Sequence, residues 1–193
     1  QAQYDIGVRA GDVKWRDLDG NGIINDNDRV LMGTSNPRFS GGWNNTFKYK
    51  GFQLDVFAHY MSGNNTYSEW KQTSLARVGY LAGVLTEYAE NRWTGPGSTN
   101  RYARAINGAA RSGFNTLNSD RFLEDGSFIR LRTVTLGYNF GQQLLSKIKL
   151  KSLRVFAQAD NLLLLTPYSG YDPEVANNLD PSKYGVDSFS MPA

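Results

Sequence analysis

The chain has 193 residues, enough for one ordinary domain, with a high aromatic content of 13% and a net charge of +3. The absence of Cys excludes a disulfide framework and thiolate metal sites, and the balance of 21 basic against 18 acidic residues, with no basic run, argues against nucleic-acid binding. No run of 18 apolar residues predicts a transmembrane helix, but transmembrane β-strands stay open because their signal is alternation over about 10 residues. The chain begins with neither an initiator Met nor an apolar targeting segment, so we expect a mature chain or a piece of a longer one.

The first motif along the chain is DLDGNGIINDND. Its oxygen-bearing residues have the spacing of an EF-hand-like loop, with Gly22 at the sharp turn and Asp in place of the usual Glu at the twelfth position. The flanks are not amphipathic helices, so we expect a structural Ca²⁺ rather than a role in calcium signalling. An Asn/Asp/Gly-rich turn whose side chains cap their own backbone is the alternative. The candidate ligands are Asp17, Asp19, Asn21, the Ile23 carbonyl, Asn25 and Asp28.

Two strands are predicted next, near 37–50 and 52–62. In the first, aromatic residues such as Trp43 and Phe47 alternate with polar residues, and the second alternates in the same way. The sequence YKGF between them is typical of a tight turn, so the two strands are predicted to form an antiparallel hairpin with one apolar face.

A long connection, 63–127, follows the hairpin, and connections of this length are usually functional. We predict a short helix over 80–93 and an irregular surface tract over 95–121. Four aromatic residues of the connection are candidates for stacking on a sugar substrate, although packing within the loop is the simpler interpretation. They are Tyr67, Trp70, Trp93 and Tyr102.

Two further strands are predicted near 128–140 and 153–165. In the first of these the apolar face changes side near Arg132, which a β-bulge would explain. About a dozen residues, GQQLLSKIKLKS, join the two strands, and the polar tail 170–193 reads as loop. Short turns at one end and long loops at the other are the asymmetry expected of outer-membrane barrels.

No pattern marks a catalytic site. His59 is the only His, it lies on the polar face of the second strand, and no nucleophile is marked near it. The aromatic residues near the predicted strand ends fit the girdles of a membrane barrel. A soluble Ca²⁺-dependent carbohydrate-binding β-sandwich and a surface glycan hydrolase fragment remain alternatives.

Several segments resemble the C-terminal region of the SusC/RagA-type TonB-dependent transporters of Bacteroidetes. The similarity covers the aspartate loop with the following NP…GG strand and the YKGF turn, then FLEDGSFIRLRTVTLGYNF, and finally LRVFAQADNLLLLTPYSGYDPEV, all in the order found in the family. The resemblance implies an all-β fold: residues 1–193 would be the C-terminal part of a large antiparallel transmembrane β-barrel of about 22 strands, a fragment that lacks the final strand.

The resemblance also implies an outer-membrane location in contact with lipid and with the remainder of the barrel. The loops 9–36, 63–127 and 167–193 would be extracellular, and YKGF and GQQLLSKIKLKS would be periplasmic turns. It implies import of glycans or peptides for nutrient uptake, without enzymatic activity. The expected partners are a SusD-like surface lipoprotein and the TonB complex, the latter through a plug-bearing N-terminal region absent from this chain.

Overall fold

The computed structural model describes residues 7–76, 83–106, 113–174 and 183–188. These residues form two sheets joined by short helices and turns. The strands are β1 (Phe39–Tyr49), β2 (Phe52–Ser62), β3 (Asn65–Ser68), β4 (Leu123–Asp125), β5 (Phe128–Asn139), β6 (Arg154–Leu165) and β7 (Val186–Asp187). The α-helices are α1 (Glu69–Ala76), α2 (Thr86–Asn91) and α3 (Gln142–Leu145), and 3₁₀ turns lie at Asp26–Asp28, Gly113–Thr116, Asp120–Phe122 and Ser146–Ile148.

The larger sheet has the order β1-β2-β5-β6, and every neighbouring pair is antiparallel. The hairpin of β1 and β2 closes through Lys50 and Gly51, whose φ angles of 44° and 89° are those of a two-residue turn of type I′. The turn therefore lies at the YKGF sequence that predicted it. We call this end of the sheet, with residues 47–54 and 138–156, the turn end, and the opposite end the loop end.

The two faces of the larger sheet differ in chemistry because side chains alternate along each strand. One face is apolar and its large side chains are exposed, including Phe39 at 68% and Tyr49 at 70%. The other face carries polar pairs between neighbouring strands, such as Thr46 with Asp55, at 2.6 Å, and Thr133 with Asp160, at 2.8 Å. No second sheet covers the apolar face among the described residues.

The predicted irregularity in the third long strand is present. The register of β5 against β2 shifts between Phe57 and Ala58, where Arg132 is the extra residue of a bulge in β5. Against β6 the register shifts between Leu131 and Thr133, where Asn161 and Leu162 of β6 lie opposite Arg132. The bulge lets Leu131 and Val134 share the apolar face although they are three positions apart.

The smaller sheet has the order β4-β3-β7 and continues the antiparallel pair of β2 and β5 beyond a bend. β3 follows β2 after Gly63, whose φ is +81°, and β4 precedes β5 by two residues. Sequence alternation missed this sheet because its strands have only two to four residues. Of the fully buried side chains among the described residues, four lie in or directly beside it: Thr66, Ser68, Phe122 and Asp187.

The helix predicted over 80–93 is shorter in the structure. Residues 80–82 lie outside the described residues, and α2 occupies Thr86–Asn91. Leu85 and Arg92 have extended backbone angles on either side, and Trp93 N donates to Tyr102 O, which draws the chain out of the helix. The tract 95–121 is not wholly irregular either, because it contributes 3₁₀ turns, and the tail contributes β7. Within the described residues, none of the helices has the length and hydropathy needed to cross a membrane.

Candidate functional site at the loop end of the sheet

The junction between the two sheets is the first feature of the loop end. Asn64 is buried there and forms two hydrogen bonds with Gly126. Gly126 N donates to Asn64 O at 2.9 Å, and Asn64 Nδ2 donates to Gly126 O at 3.2 Å. Gly63 N donates to Ser127 Oγ. A Cβ on Gly126 would lie 2.5 Å from Asn64 Nδ2, so only Gly allows this approach. The junction thus fixes the smaller sheet on the end of the larger one.

Next to the junction, a buried ion pair links β5 to the segment that follows β6. The side chains of Arg130 on β5 and Asp172 are only 5% and 8% exposed, and Arg130 Nη2 lies 2.5 Å from Asp172 Oδ1. Arg130 Nε lies 2.9 Å from Glu174 Oε2, an ionic contact rather than a directed hydrogen bond. Glu174 N donates to Asp172 Oδ1, which fixes the two acids relative to each other. We call Arg130, Asp172 and Glu174 the clamp.

Glu174 of the clamp has two further neighbours on the polar face. Arg132, the bulge residue, places Nη1 3.0 Å from Glu174 Oε2, and His59 Nε2 lies 3.0 Å from Glu174 Oε1. The His59 ring also meets Phe128 edge to face, with centroids 5.2 Å apart. His59 is therefore part of the contact between the larger sheet and the clamp. Among the described residues, no nucleophile is hydrogen-bonded to it.

A second set of contacts holds the same segment to the smaller sheet. The Tyr168 hydroxyl donates to Asp187 Oδ2 at 2.6 Å and accepts from Trp70 Nε1 at 3.3 Å. Burial, followed by the hydrogen bond to Asp187, raises the pKa of Tyr168. Ser169 N donates to Glu124 Oε2, and Lys71 Nζ lies 3.1 Å from Glu124 Oε1. The segment from Thr166 to Glu174 is thus bound at both ends.

The four aromatic candidates all make contacts within the chain. Trp70 bonds Tyr168 as described, and Tyr67 donates to Asn118 Oδ1 and meets Phe122 edge to face. Burial raises the pKa of Tyr67. These two side chains are half-buried packing elements of the smaller sheet, which favours the simpler of the two interpretations for them.

Trp93 and Tyr102 lie elsewhere, at a cleft of about 300 Å³. The Trp93 ring lies against Gly11, where a Cβ would approach to 2.2 Å. Tyr102 donates to Glu87 Oε1 at 2.9 Å, and burial is the main cause that raises its pKa. Arg121 also lines the cleft, and burial lowers the pKa of this guanidinium. Of the four predicted aromatics, these two are therefore the ones that border open space.

The aspartate loop brings its three carboxylates together. Oxygens of Asp17, Asp19 and Asp28 lie within 4.8 Å of one another. Asp17 Oδ2 accepts from Gly22 N at 2.7 Å, which closes the turn at the position where the pattern requires Gly. Asn21 Oδ1 accepts from Ile23 N. The donor set of carboxylate and amide oxygens fits a hard cation such as Ca²⁺.

The same loop also caps its own backbone, as the alternative interpretation expects. Asp28 accepts from Asn25 N and Leu18 N, both at 2.8 Å, and the hydrogen bond from Asn25 is the main cause that lowers the pKa of Asp28. Asn25 Oδ1 accepts from Asn27 N and begins a 3₁₀ turn. Because each carboxylate oxygen has two lone pairs, backbone capping and cation binding are compatible in this loop.

Sequence patterns did not single out the clamp as a site. Arg130 interrupts an apolar strand, and Asp172 and Glu174 stand in the GYDPE segment, so both motifs were visible. Their pairing was not, because the two segments are 42 residues apart. The signal that was available is a charged residue flanked by Ile and Leu in a strand, which demands a partner when it is buried.

Comparison with known proteins gives relatives over nearly the whole chain, although no protein-family model matches it. TonB-dependent receptor P3 of Formosa agariphila is 32% identical over 187 residues, which is 94% of this chain and 18% of that receptor. TonB-dependent receptor P39 of the same organism is 29% identical over 192 residues, 96% of this chain and 18% of that receptor. TonB-dependent receptor SusC of Bacteroides thetaiotaomicron is 26% identical over 189 residues, 95% of this chain and 17% of SusC.

Solved structures show the same fold. The RagAB peptide importer in its closed-closed state superimposes with a TM-score of 0.66 at 23% identity, over 82% of this chain and 17% of that chain. The RagAB peptide transporter gives a TM-score of 0.63 at 22% identity, over 85% and 18%. The chain spans less than a fifth of the length of the relatives it matches. It is related to the SusC/RagA-type TonB-dependent receptors over nearly its whole length, and its four long strands have the fold of a segment of their barrel.

Proposed function

We propose that the full-length protein imports glycans or peptides across the outer membrane in a TonB-dependent manner, and that this chain supplies barrel wall and extracellular loops. The observation that carries the proposal is the two-faced sheet. Its outer face exposes Phe39, Trp43 and Tyr49, a surface that suits lipid, whereas its inner face carries paired polar groups that suit a water-filled lumen.

The loop end faces outward in this proposal and the turn end faces the periplasm. The unequal ends of the sheet support that orientation, because outer-membrane barrels have short periplasmic turns and longer extracellular loops. At the turn end the hairpin closes with two residues, whereas the loop end holds the junction, the clamp and the smaller sheet. The loop end would then be the rim at which substrate arrives.

The partners follow from the family. We propose a SusD-like surface lipoprotein over the loop end and a TonB contact made by another part of the protein. Trp93 and Tyr102 are the substrate-facing candidates because they line a cleft, and bond-breaking chemistry is not expected. The clamp would hold the segment from Thr166 to Glu174 against the wall while substrate passes.

Uptake in whole cells tests the function. A strain lacking the gene is complemented with the wild-type gene, and the entry of labelled oligosaccharides and labelled peptides is measured with and without a protonophore. We expect the complemented strain to take up one ligand class, and the protonophore to abolish that uptake. Equal uptake by the deletion strain for both classes would refute the import function.

We also propose that the aspartate loop holds a structural Ca²⁺ through Asp17, Asp19, Asn21, the Ile23 carbonyl, Asn25 and Asp28. When bound, the ion would stiffen the loop by adding oxygen ligands at about 2.3–2.6 Å. The convergence of three carboxylates supports it.

Terbium luminescence of the full-length receptor tests the ion site. Asp17→Asn should weaken Tb³⁺ binding, and added Ca²⁺ should compete with Tb³⁺ in the wild type. Asp26→Asn is the matched control, because Asp26 pairs with Arg29 at 3.0 Å and lies outside the carboxylate cluster. Equal Tb³⁺ affinity of the wild type and Asp17→Asn would contradict the proposal.

A further inference from the structure

The turn end of the larger sheet is uniformly basic. Residues 47–54 and 138–156 contain five lysines and one arginine, and they contain no Asp or Glu. The lysines are all exposed, and none of them takes part in an ion pair among the described residues. The basic residues are Lys48, Lys50, Lys147, Lys149, Lys151 and Arg154.

The connection between β5 and β6 is amphipathic as well as basic. Only Leu145 is buried there, whereas Leu144 and Ile148 are 51% and 53% exposed. Three lysines alternate with the apolar residues in the sequence KIKLK, and Lys149 turns the chain with a φ of 56°. Exposed Leu and Ile beside lysines are unfavourable in water but suit the boundary between acyl chains and headgroups.

Aromatic residues at the same end support a membrane boundary. Tyr49 is 70% exposed on the apolar face, next to Phe52, and Lys50 Nζ lies 5.3 Å from the centre of the Tyr49 ring. Amphipathic rings and long lysine side chains that reach toward headgroups are the residues found at membrane interfaces. A purely protein-facing surface would not need exposed rings and free ammonium groups together.

We propose that the turn end docks on the anionic phospholipid headgroups of the inner leaflet of the outer membrane, with Lys147, Lys149 and Lys151 as the headgroup-binding residues. This rests on the proposed membrane placement and orientation of the sheet. Arg154 lies near Asp55, with Nη2 3.8 Å from Asp55 Oδ2, but none of the five lysines takes part in an ion pair among the described residues. Charge selects the occupant: five such lysines attract phosphate groups, and each lysine near an anionic surface strengthens binding by about fivefold.

Native mass spectrometry of the full-length receptor in detergent tests this docking. The receptor is titrated with phosphatidylglycerol and, separately, with phosphatidylcholine. The triple variant K147Q/K149Q/K151Q should lose tenfold or more in affinity for phosphatidylglycerol and keep its weak binding of phosphatidylcholine. The triple variant K147R/K149R/K151R keeps the charge and should bind phosphatidylglycerol like the wild type.

A matched control removes three exposed charges from the loop end, in the variant K14Q/R16Q/K183Q. It should bind phosphatidylglycerol like the wild type. An equal loss in this control, or unchanged affinity in the turn-end variant, would overturn the docking. A turn-end variant that loses lipid A instead of phosphatidylglycerol would also overturn it. Uptake assays distinguish the two proposals. If the turn-end variant keeps its affinity for phosphatidylglycerol and the wild type takes up substrate, only the docking is refuted. If the wild type takes up no substrate, only the import function is refuted.

Discussion

Replacing Arg130 by Gln should release the segment from Thr166 to Glu174 without unfolding the wall. Arg130 is the cation of a pair in which both side chains are more than nine-tenths buried. Its removal leaves Asp172 buried without its cation, and breaking one side of such a pair costs about 3–5 kcal/mol. At the lower bound, the opened population of the segment rises by about 100-fold, because each 1.4 kcal/mol is a factor of ten.

Hydrogen–deuterium exchange of the full-length receptor measures this opening. Amides of 166–174 should exchange about 100-fold faster in Arg130→Gln, while amides of β5 stay protected. Arg132→Gln is the matched control: its side chain is 39% exposed and its ion pair with Glu174 is partly solvated, so the change should cost less than about 1 kcal/mol. An increase below fivefold in Arg130→Gln, or equal effects of the two variants, would refute the reasoning.

Three further changes test the loop end by the same method. Gly126→Ala should destabilise the junction by about 1–3 kcal/mol through the clash with Asn64 and speed exchange there, whereas Gly95→Ala, with open space around it, should not. Burial raises the pKa of Tyr168, so its phenol stays protonated in the folded chain at a pH near 10, where the same phenol ionises in the unfolded chain. The stabilisation from this phenol is therefore complete below about pH 10 and is lost as the pH rises further. The free energy of unfolding should fall less above pH 10 in Tyr168→Phe than in the wild type. Backbone hydrogen bonds lower the pKa of Asp28, so the stabilisation from its carboxylate is present above about pH 4 and is lost on acidification. The protection of amides 17–28, relative to their intrinsic exchange rates at each pH, should fall from pH 5 to 3 in the wild type and change less in Asp28→Asn.

Alternation predicted the larger sheet well because each long strand has one apolar face and one polar face. The period of two is then imposed on 11 or 12 consecutive residues, and the parity change at Arg132 marks the bulge. The hairpin turn was equally readable, since Gly51 supplies the positive φ that the second position of the turn needs.

The smaller sheet and the clamp were not predictable in this way. β3 pairs in parallel with β7 through Tyr67 and Val186, residues far apart in the sequence, and two-residue strands carry no period. Arg130 and Asp172 meet for a similar reason, because the chain returns over the polar face after β6. Such pairings depend on tertiary packing, which a local pattern does not contain.

The contacts around Asn65 connect the aspartate loop to the rest of the loop end. Asn65 N donates to Thr34 O at 2.7 Å, and Thr34 N donates to the Asn65 side chain. Thr34 follows the aspartate loop by six residues, and Asn65 begins β3, next to the junction. Whatever stiffens residues 17–28 therefore restrains the first strand of the smaller sheet. The loop would serve uptake as support for the rim, since β3 leads directly into α1, whose Trp70 donates to the Tyr168 hydroxyl of the segment held by the clamp.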